Sequence, residues 1–438
     1  MAKKTAKSTT HTPKPLFDTL PYLKKQLQQF QKTKDPTIFK NYLKNLFPTT
    51  KLPSYTTTDL QYTLPFLYSY KGSADTFTAY RRELERLIQW SWFVRKTSIL
   101  KLKNTDIEHY IEFCLKPPKR WIAIKVTPRF LTIKGVRKPN IEWRPFVAKL
   151  SKKSYHDGKT PDKKDFVFSH QGIKLLFNIL SSFYNYLVQE ELISRNPIAQ
   201  IRQKSSYIRK EQHTTVIRRL SPLQWETVIK TAIALAEANP EVHERTLFIM
   251  NILYGMYLRI SELTENARWS PKMCDFSRDG NGNWWFKTVG KGNKVRQIAV
   301  SQAMLTALKR WRKHLGLSVF PTPNDKSPLL PKQVGKGPMT STRTIRAIVQ
   351  LCFDAAVNKL QEEGAKEEAE VLRSATVHWL RHTGISDDVK IRPREHVRDD
   401  AGHSSSSITD KYIDIELQER ALSAKKKVII PEDVSYVV

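Results

Sequence analysis

From Ser73 the run SADTFTAYRRELERLIQWSWFV places Phe77, Tyr80, Leu84, Leu87 and Ile88 at i, i+3 and i+4 type spacings with charges between them, the pattern of an amphipathic helix. NTDIEHYIEFCL follows with Asn104 or Thr105 as N-cap, and SHQGIKLLFNILSSFYNYLVQEEL predicts a third long helix that stops at SRNP. Together these predict a compact helical domain over residues 73–200. Inside it, residues 117–168 lose the periodicity and are rich in Pro, Lys and Arg, which reads as an insertion. Before it, residues 1–72 carry short helical patterns such as PYLKKQLQQFQK, a break at FPTTKLPSYTTT, many lysines and no arginine, and read as a basic N-terminal accessory segment.

Residues 201–219 are basic, polar and without apolar periodicity, so they can link two domains while lying along phosphates. Beyond them LSPLQWETVIKTAIALAEA offers Ser221 as N-cap with Pro222 at the first helical position, and TLFIMNILYGMYLRISEL is a long apolar run ending near Arg259. One strand signal stands out. NWWFKTV and KVRQIAV flank the short turn GKGN, with aromatic and β-branched residues on both sides, which predicts a β-hairpin. The expected fold class is therefore mainly α with a small β-hairpin or sheet (α+β). A second, larger domain covers residues 220–424, and residues 425–438 form a C-terminal tail.

Composition narrows the class. The chain has 438 residues, 40% of them hydrophobic, enough for two or three cores. Cys114, Cys274 and Cys352 lie far apart without CxxC spacing, so neither a disulfide framework nor a zinc cluster is indicated. No stretch approaches the roughly 18 apolar residues of a membrane span, and the start MAKKTAKSTTHTPK lacks the apolar stretch of a secretory signal. A cytoplasmic protein is expected, associated with the nucleoid when bound to DNA. Lys and Arg number 74 against 42 Asp and Glu, a net charge of +32 that attracts polyanions. Binding to DNA releases condensed counterions, so such an excess favours a long nucleic-acid footprint.

The candidate chemistry lies in the second domain. Arg259 in LRISEL, the pair His378 and Arg381 in HWLRH, and Tyr412 nine residues after His403 in GHSSSSITDKY are each weak signals alone. An arginine at a helix end is usually solvated, and a tyrosine is usually packing. Their order, Arg…Lys…His-x-x-Arg…Gly-His…Tyr, resembles the tyrosine recombinase family, which includes phage integrases and Xer-type recombinases. The resemblance is close over residues 220–420, in LRISEL, VGKGNKVRQIAV, HWLRH and GHSSSSITDKY, and looser over 73–200, which is similar to the family's core-binding domain. It implies catalytic roles for Arg259, Lys291, His378, Arg381 and His403, with Tyr412 as nucleophile. The chain departs from the family pattern at ISDDVKIRPRE after RHTG and in the insertion at 117–168.

These residue types suit metal-free phosphoryl transfer. Two guanidiniums can grip the non-bridging oxygens of a phosphodiester where a cation would otherwise neutralise them. The tyrosine phenol, with a reference pKa of about 10, needs a base, and His378 is the expected one. Lys291 at the hairpin tip would protonate the departing 5′ hydroxyl. His403 would hydrogen-bond the phosphate and support the turn before Tyr412. A 3′-phosphotyrosine keeps the bond energy, so no ATP is required. Accordingly GKGNK and GKGPM lack the phosphate-loop spacing, and His378-x-x-x-His382 lacks the glutamate of a zinc protease, with Arg381 placed to repel a cation. No cofactor and no metal are expected. The expected partners are double-stranded DNA and further copies of the chain, a tetramer on two DNA sites, with the tail docking in cis or on a neighbouring subunit as the resemblance implies. Competing readings are a type IB topoisomerase, a telomere resolvase, or a DNA-binding factor that has lost catalysis.

Overall fold

The structure, a computed structural model, describes residues 11–33, 35–150, 152–199, 201, 218–403, 405, 408–409 and 424, with Thr33, Lys153, His156 and Lys291 described by their backbone. The chain divides into two compact units, Met1–Gln212 and His213–Val438. Most of the basic stretch at 201–219, and the tail at 425–438, lie outside the described residues.

Among the described residues of the first unit six longer helices assemble around one core: α1 (Leu20–Thr33), α2 (Thr37–Leu46), α3 (Tyr55–Ser69), α4 (Ala74–Trp90), α5 (Asn104–Leu115) and α6 (His170–Gln189). Ser73 caps α4, its hydroxyl accepting from the Thr76 N–H at 3.4 Å. The helix α5 begins at Asn104, and Asp106 accepts from the Lys103 N–H at 2.9 Å. Leu16, Phe17, Leu43, Leu60 and Leu67 share a single apolar cluster with Leu84, Ile88, Ile107, Phe177 and Phe183. Thus residues 16–69 contribute to the same core as the helices that follow Ser73.

The insertion is ordered into two small sheets. β1 (Ile122–Ala123) pairs in parallel with β4 (Phe146–Val147), and β2 (Phe130–Ile133) with β3 (Val136–Pro139) makes an antiparallel hairpin. Its anchors Trp121 and Phe146 are fully buried. Because the first residues and this insertion cover α4, the charges between its apolar positions are buried rather than solvated. Glu85 accepts from the Leu16 and Phe17 N–H groups and pairs with Arg129. Arg86 donates to the Pro145 carbonyl at 2.6 and 2.9 Å and to Glu83 at 3.0 Å. Burial of such groups is tolerable only with partners, and here each has them.

The second unit opens with α7 (Pro222–Ala238), whose Ser221 cap accepts from the Gln224 N–H at 3.2 Å, and α8 (Pro240–Gly255). The apolar run after Thr246 does not stay helical to Arg259. It leaves the helix after Gly255, passes through Tyr257 in the left-handed region (φ 50°), and makes a 3-10 turn at Ile260–Glu262. Three antiparallel strands follow in the order β5 (Phe276–Arg278), β6 (Trp284–Val289), β7 (Val295–Ala299), with Phe286 opposite Ile298 and Thr288 opposite Arg296. The expected hairpin is thus β6–β7, extended by one strand.

Among the described residues five longer helices follow: α9 (Gln302–His314), α10 (Thr342–Glu362), α11 (Lys366–Arg373), α12 (Val377–Asp388) and α13 (Arg394–Ala401). Val228, Leu253, Phe286, Leu308, Phe353 and Leu380 belong to its core. The helices α8 and α12 meet closely at Gly384, where a Cβ would stand 2.1 Å from the Tyr254 carbonyl oxygen, so only glycine fits this crossing. That contact fixes the level of His378 and Arg381 on α12 against the chain leading to Arg259.

Candidate active site

Four separate segments converge on one open cleft of about 640 Å³. Arg259 comes from the turn after α8, Lys294 and Arg296 from the β6–β7 hairpin, His378, Arg381 and His382 from α12, and His403 from the turn after α13. Helical spacing sets His378 and Arg381 on one face. The tertiary fold brings them to Arg259 and His403.

The arginines are held differently. Arg381 is buried and donates to two main-chain carbonyls, those of Tyr257 and of Ala401, the latter at 2.7 Å. Arg259 is half-buried. Its Nη1 donates to Glu262 Oε1 at 3.0 Å and its Nη2 reaches the Gly402 carbonyl at 3.5 Å, and among the described residues its remaining N–H donors have no partner. Glu262, itself buried, also accepts both Nη groups of Arg296 at 2.8 Å, while Arg296 Nε donates to the Asp400 carbonyl at 3.0 Å. Burial alone would raise the Glu262 carboxyl, but Arg296 and Arg259 outweigh it and hold it below its ordinary value. One carboxylate therefore orients two guanidiniums and is outnumbered by the cations around it. At Gly290 a Cβ would lie 2.9 Å from Arg296 Nη1 and 3.2 Å from Glu262 Oε1, so a larger residue there would have to displace both side chains.

The imidazoles are shifted toward neutrality. His403 is lowered to about 4, first by burial and then by Arg381, Arg259 and Arg296. His382 is lowered to about 4 by burial, Arg381 and His378. His378, on the cleft rim, is lowered by partial burial and by Arg346, Arg381 and Arg259. The His403 Nδ1 lies 2.9 Å from Thr409 Oγ1, and when that hydroxyl donates, Nε2 carries the ring proton. Neutral imidazoles amid guanidiniums form a site that accepts an anion and can take up a proton.

Of the six residues expected to act, four thus share this cleft. Lys291 has its backbone in the 3-10 turn Lys291–Asn293, between Gly290 and Lys294, both of which line the cleft. Tyr412 lies outside the described residues, and Ile408, four positions earlier, lines the cleft. Sequence reasoning assigned nothing to Arg296 or to the carboxylate of Glu262. A signal existed: in β7 Arg296 is two residues from buried Ile298, so strand alternation puts it on the inward face. Among the described residues no cluster of three His, Cys, Asp or Glu could hold a metal ion, and no helix is long and apolar enough to cross a membrane.

The profile of the Phage integrase family matches residues 218–419, the span that contains every segment of this cleft. The second unit belongs to the phage integrase family. Over 314 residues, 71% of this chain and 81% of the relative, the sequence is 24% identical to "Tyrosine recombinase XerC" of Leptospira interrogans. It is also 24% identical over 309 residues, 68% of this chain and 89% of the relative, to "Tyrosine recombinase" of Thermosipho africanus. A solved structure of the XerH site-specific recombinase, a post-cleavage complex bound to palindromic difH substrate, shares the fold with a TM-score of 0.50, 16% identity, 94% of this chain and 97% of that one covered. The second unit is thereby of the tyrosine recombinase type, enzymes that break and rejoin DNA, and the topoisomerase, telomere-resolvase and inactive-factor readings are not favoured.

Proposed function

We propose that this recombinase cuts double-stranded DNA by attack of Tyr412 on a phosphodiester held between Arg259 and Arg381. The observation that supports this reading most strongly is the cleft itself, where two guanidiniums from different segments and three neutral imidazoles face one open volume. Fixed backbone carbonyls prevent Arg381 from collapsing onto a carboxylate, so its charge is available to a phosphate without reorganisation. His378, which its lowered pKa keeps neutral near pH 7, accepts the phenol proton. Lys291, on the hairpin turn, supplies a proton to the leaving 5′ hydroxyl. His403 donates a hydrogen bond from Nε2 to the phosphate. The products are a 3′-phosphotyrosine and a free 5′ hydroxyl, and attack by another 5′ hydroxyl reverses the same steps on a new partner, with neither metal nor ATP.

Tyr412→Phe tests this directly. The variant should bind duplex DNA almost as the parent does while forming no protein–DNA adduct that survives denaturing electrophoresis, and adduct formation by the variant removes Tyr412 from the mechanism. We further propose that the working form is a tetramer on two DNA sites, with the apolar segment Val428–Ile430 of one subunit docked on the next. Truncation after Lys427 should then weaken cooperative filling of paired sites without weakening binding to one.

A further inference from the structure

The insertion in the first unit projects a β-ribbon for which neither family nor fold supplies a role. In the hairpin β2–β3 the cross-strand pairs are Phe130 with Pro139, Leu131 with Lys138, Thr132 with Arg137 and Ile133 with Val136. Alternation divides it into two faces. One face, with Phe130 buried and Arg137 tied to Asp18 at 2.8 Å, packs on the unit. The other carries Leu131, Ile133, Val136 and Lys138, with the three apolar side chains 39%, 47% and 56% exposed. Residues 131–136 are all exposed, and the turn at Lys134 and Gly135 has φ values of 48° and 75°, the left-handed pair of a tight two-residue hairpin turn. A protruding apolar ribbon is costly in water unless something covers it.

Charge indicates what covers it. Residues 119–141 contain Lys119, Arg120, Lys125, Arg129, Lys134, Arg137 and Lys138 and no acidic residue. Arg129, Arg137 and Lys125 are paired with Glu85, Asp18 and Glu142. Lys134 and Lys138, on the ribbon itself, have no ion-pair partner among the described residues. A two-stranded ribbon fits a groove of duplex DNA, where lysines at its edge reach phosphates and apolar side chains meet sugars, thymine methyls or base steps. An apolar protein surface would not call for uncompensated lysines beside the contact.

We propose that the hairpin Phe130–Pro139 is a DNA-contacting ribbon, with Lys134 and Lys138 on phosphates and Leu131, Ile133 and Val136 in the groove. This rests on the reading of the chain as a DNA recombinase and adds a contact made by the insertion. The test uses the full chain, a duplex of about 40 base pairs of arbitrary sequence, and binding titrations over a range of salt concentrations, in which each lost phosphate contact lowers the slope of log K against log salt by about 0.9. Lys134→Ala combined with Lys138→Ala should lower that slope by about 1.8. Ile133→Ser combined with Val136→Ser should weaken binding by about tenfold with the slope unchanged. All four side chains are exposed, so unfolding is not expected, and thermal melting checks it. Parent-like affinity and slope in both variants overturn the ribbon while leaving the recombinase reading intact. Loss of self-association in the serine variant, with DNA binding unchanged, also overturns it and assigns the face to a second copy of the chain. A parent that shows no salt-dependent DNA binding at all defeats the recombinase reading itself.

Discussion

Glu85 in the first unit and Glu262 in the second are both buried carboxylates beside arginines, yet they do different things. Around Glu85 two main-chain N–H donors sit on one oxygen and the Arg129 guanidinium, which lies over the Trp143 ring, pairs with the other. Around Glu262 two guanidiniums compete for one carboxylate, and Arg259 keeps donors toward an open cleft. An ion pair closed by main-chain donors and a buried partner fixes a fold. A carboxylate outnumbered by cations prepares a site for an anion, because the unspent charge waits for the ligand.

The largest effect should come from breaking the structural pair. Glu85→Ala leaves Arg129 buried and unpaired and should cost about 3–5 kcal/mol in urea unfolding, with the cleavage rate of the folded protein unchanged. A loss of activity without loss of stability would erase the contrast. Next, Arg259→Ala and Arg381→Ala should each slow formation of the protein–DNA adduct by about 10² to 10³, the effect of removing a preorganised donor to developing charge. Single-turnover rates at saturating DNA would measure this, and unaltered rates would show that the cleft is not the reaction centre.

The same two variants should differ in stability. Arg381→Ala leaves the Tyr257 and Ala401 carbonyls without their donor and should destabilise by about 1–3 kcal/mol, whereas Arg259→Ala, already half-solvated, should leave the melting temperature nearly unchanged. The smallest effect concerns protons. His11 in the first unit and His382 and His403 in the second all fall to about 4, each led by burial. A histidine whose folded pKa lies below its unfolded value of about 6.5 supports the fold above that pH and withdraws support as the pH drops toward 4, so both units should lose stability over this window. Duplex DNA neutralises the guanidiniums near His403, so in ring-proton NMR titrations His403 should shift back by up to about one unit, worth about 1.4 kcal/mol, while His11 does not move. Equal shifts for both would mean that the arginines do not govern His403.

Much of this protein was written in local pattern. Ser221 and Pro222 start a helix because their geometry favours it without outside help, and the Gly/Asn turn between two β-branched runs makes a hairpin. His378 and Arg381 share a face because three residues make nearly one helical turn. The order of Arg259, Lys291, His378, Arg381, His403 and Tyr412 along the chain carries the resemblance to the family whose profile matches residues 218–419.

Other features depend on residues far apart in sequence. The amphipathic pattern of α4 gives no sign that its charges are buried, and it is the covering of that helix by residues 16–69 and by the insertion that buries Glu85 and Arg86. The helix before Arg259 read as continuous, but its chain turns at Tyr257, whose carbonyl receives Arg381 and whose hydroxyl joins Asp388 and Arg392 from the segment where the chain departs from its family. Arg296 was visible as a strand residue, while its bond to a glutamate 34 positions earlier was not. Sequence determines what a few neighbouring residues prefer, because propensity, capping and periodicity act within one or two turns. Which cation meets which carboxylate, and which remains open to a phosphate, is decided only when distant segments pack and burial makes every unpaired charge costly.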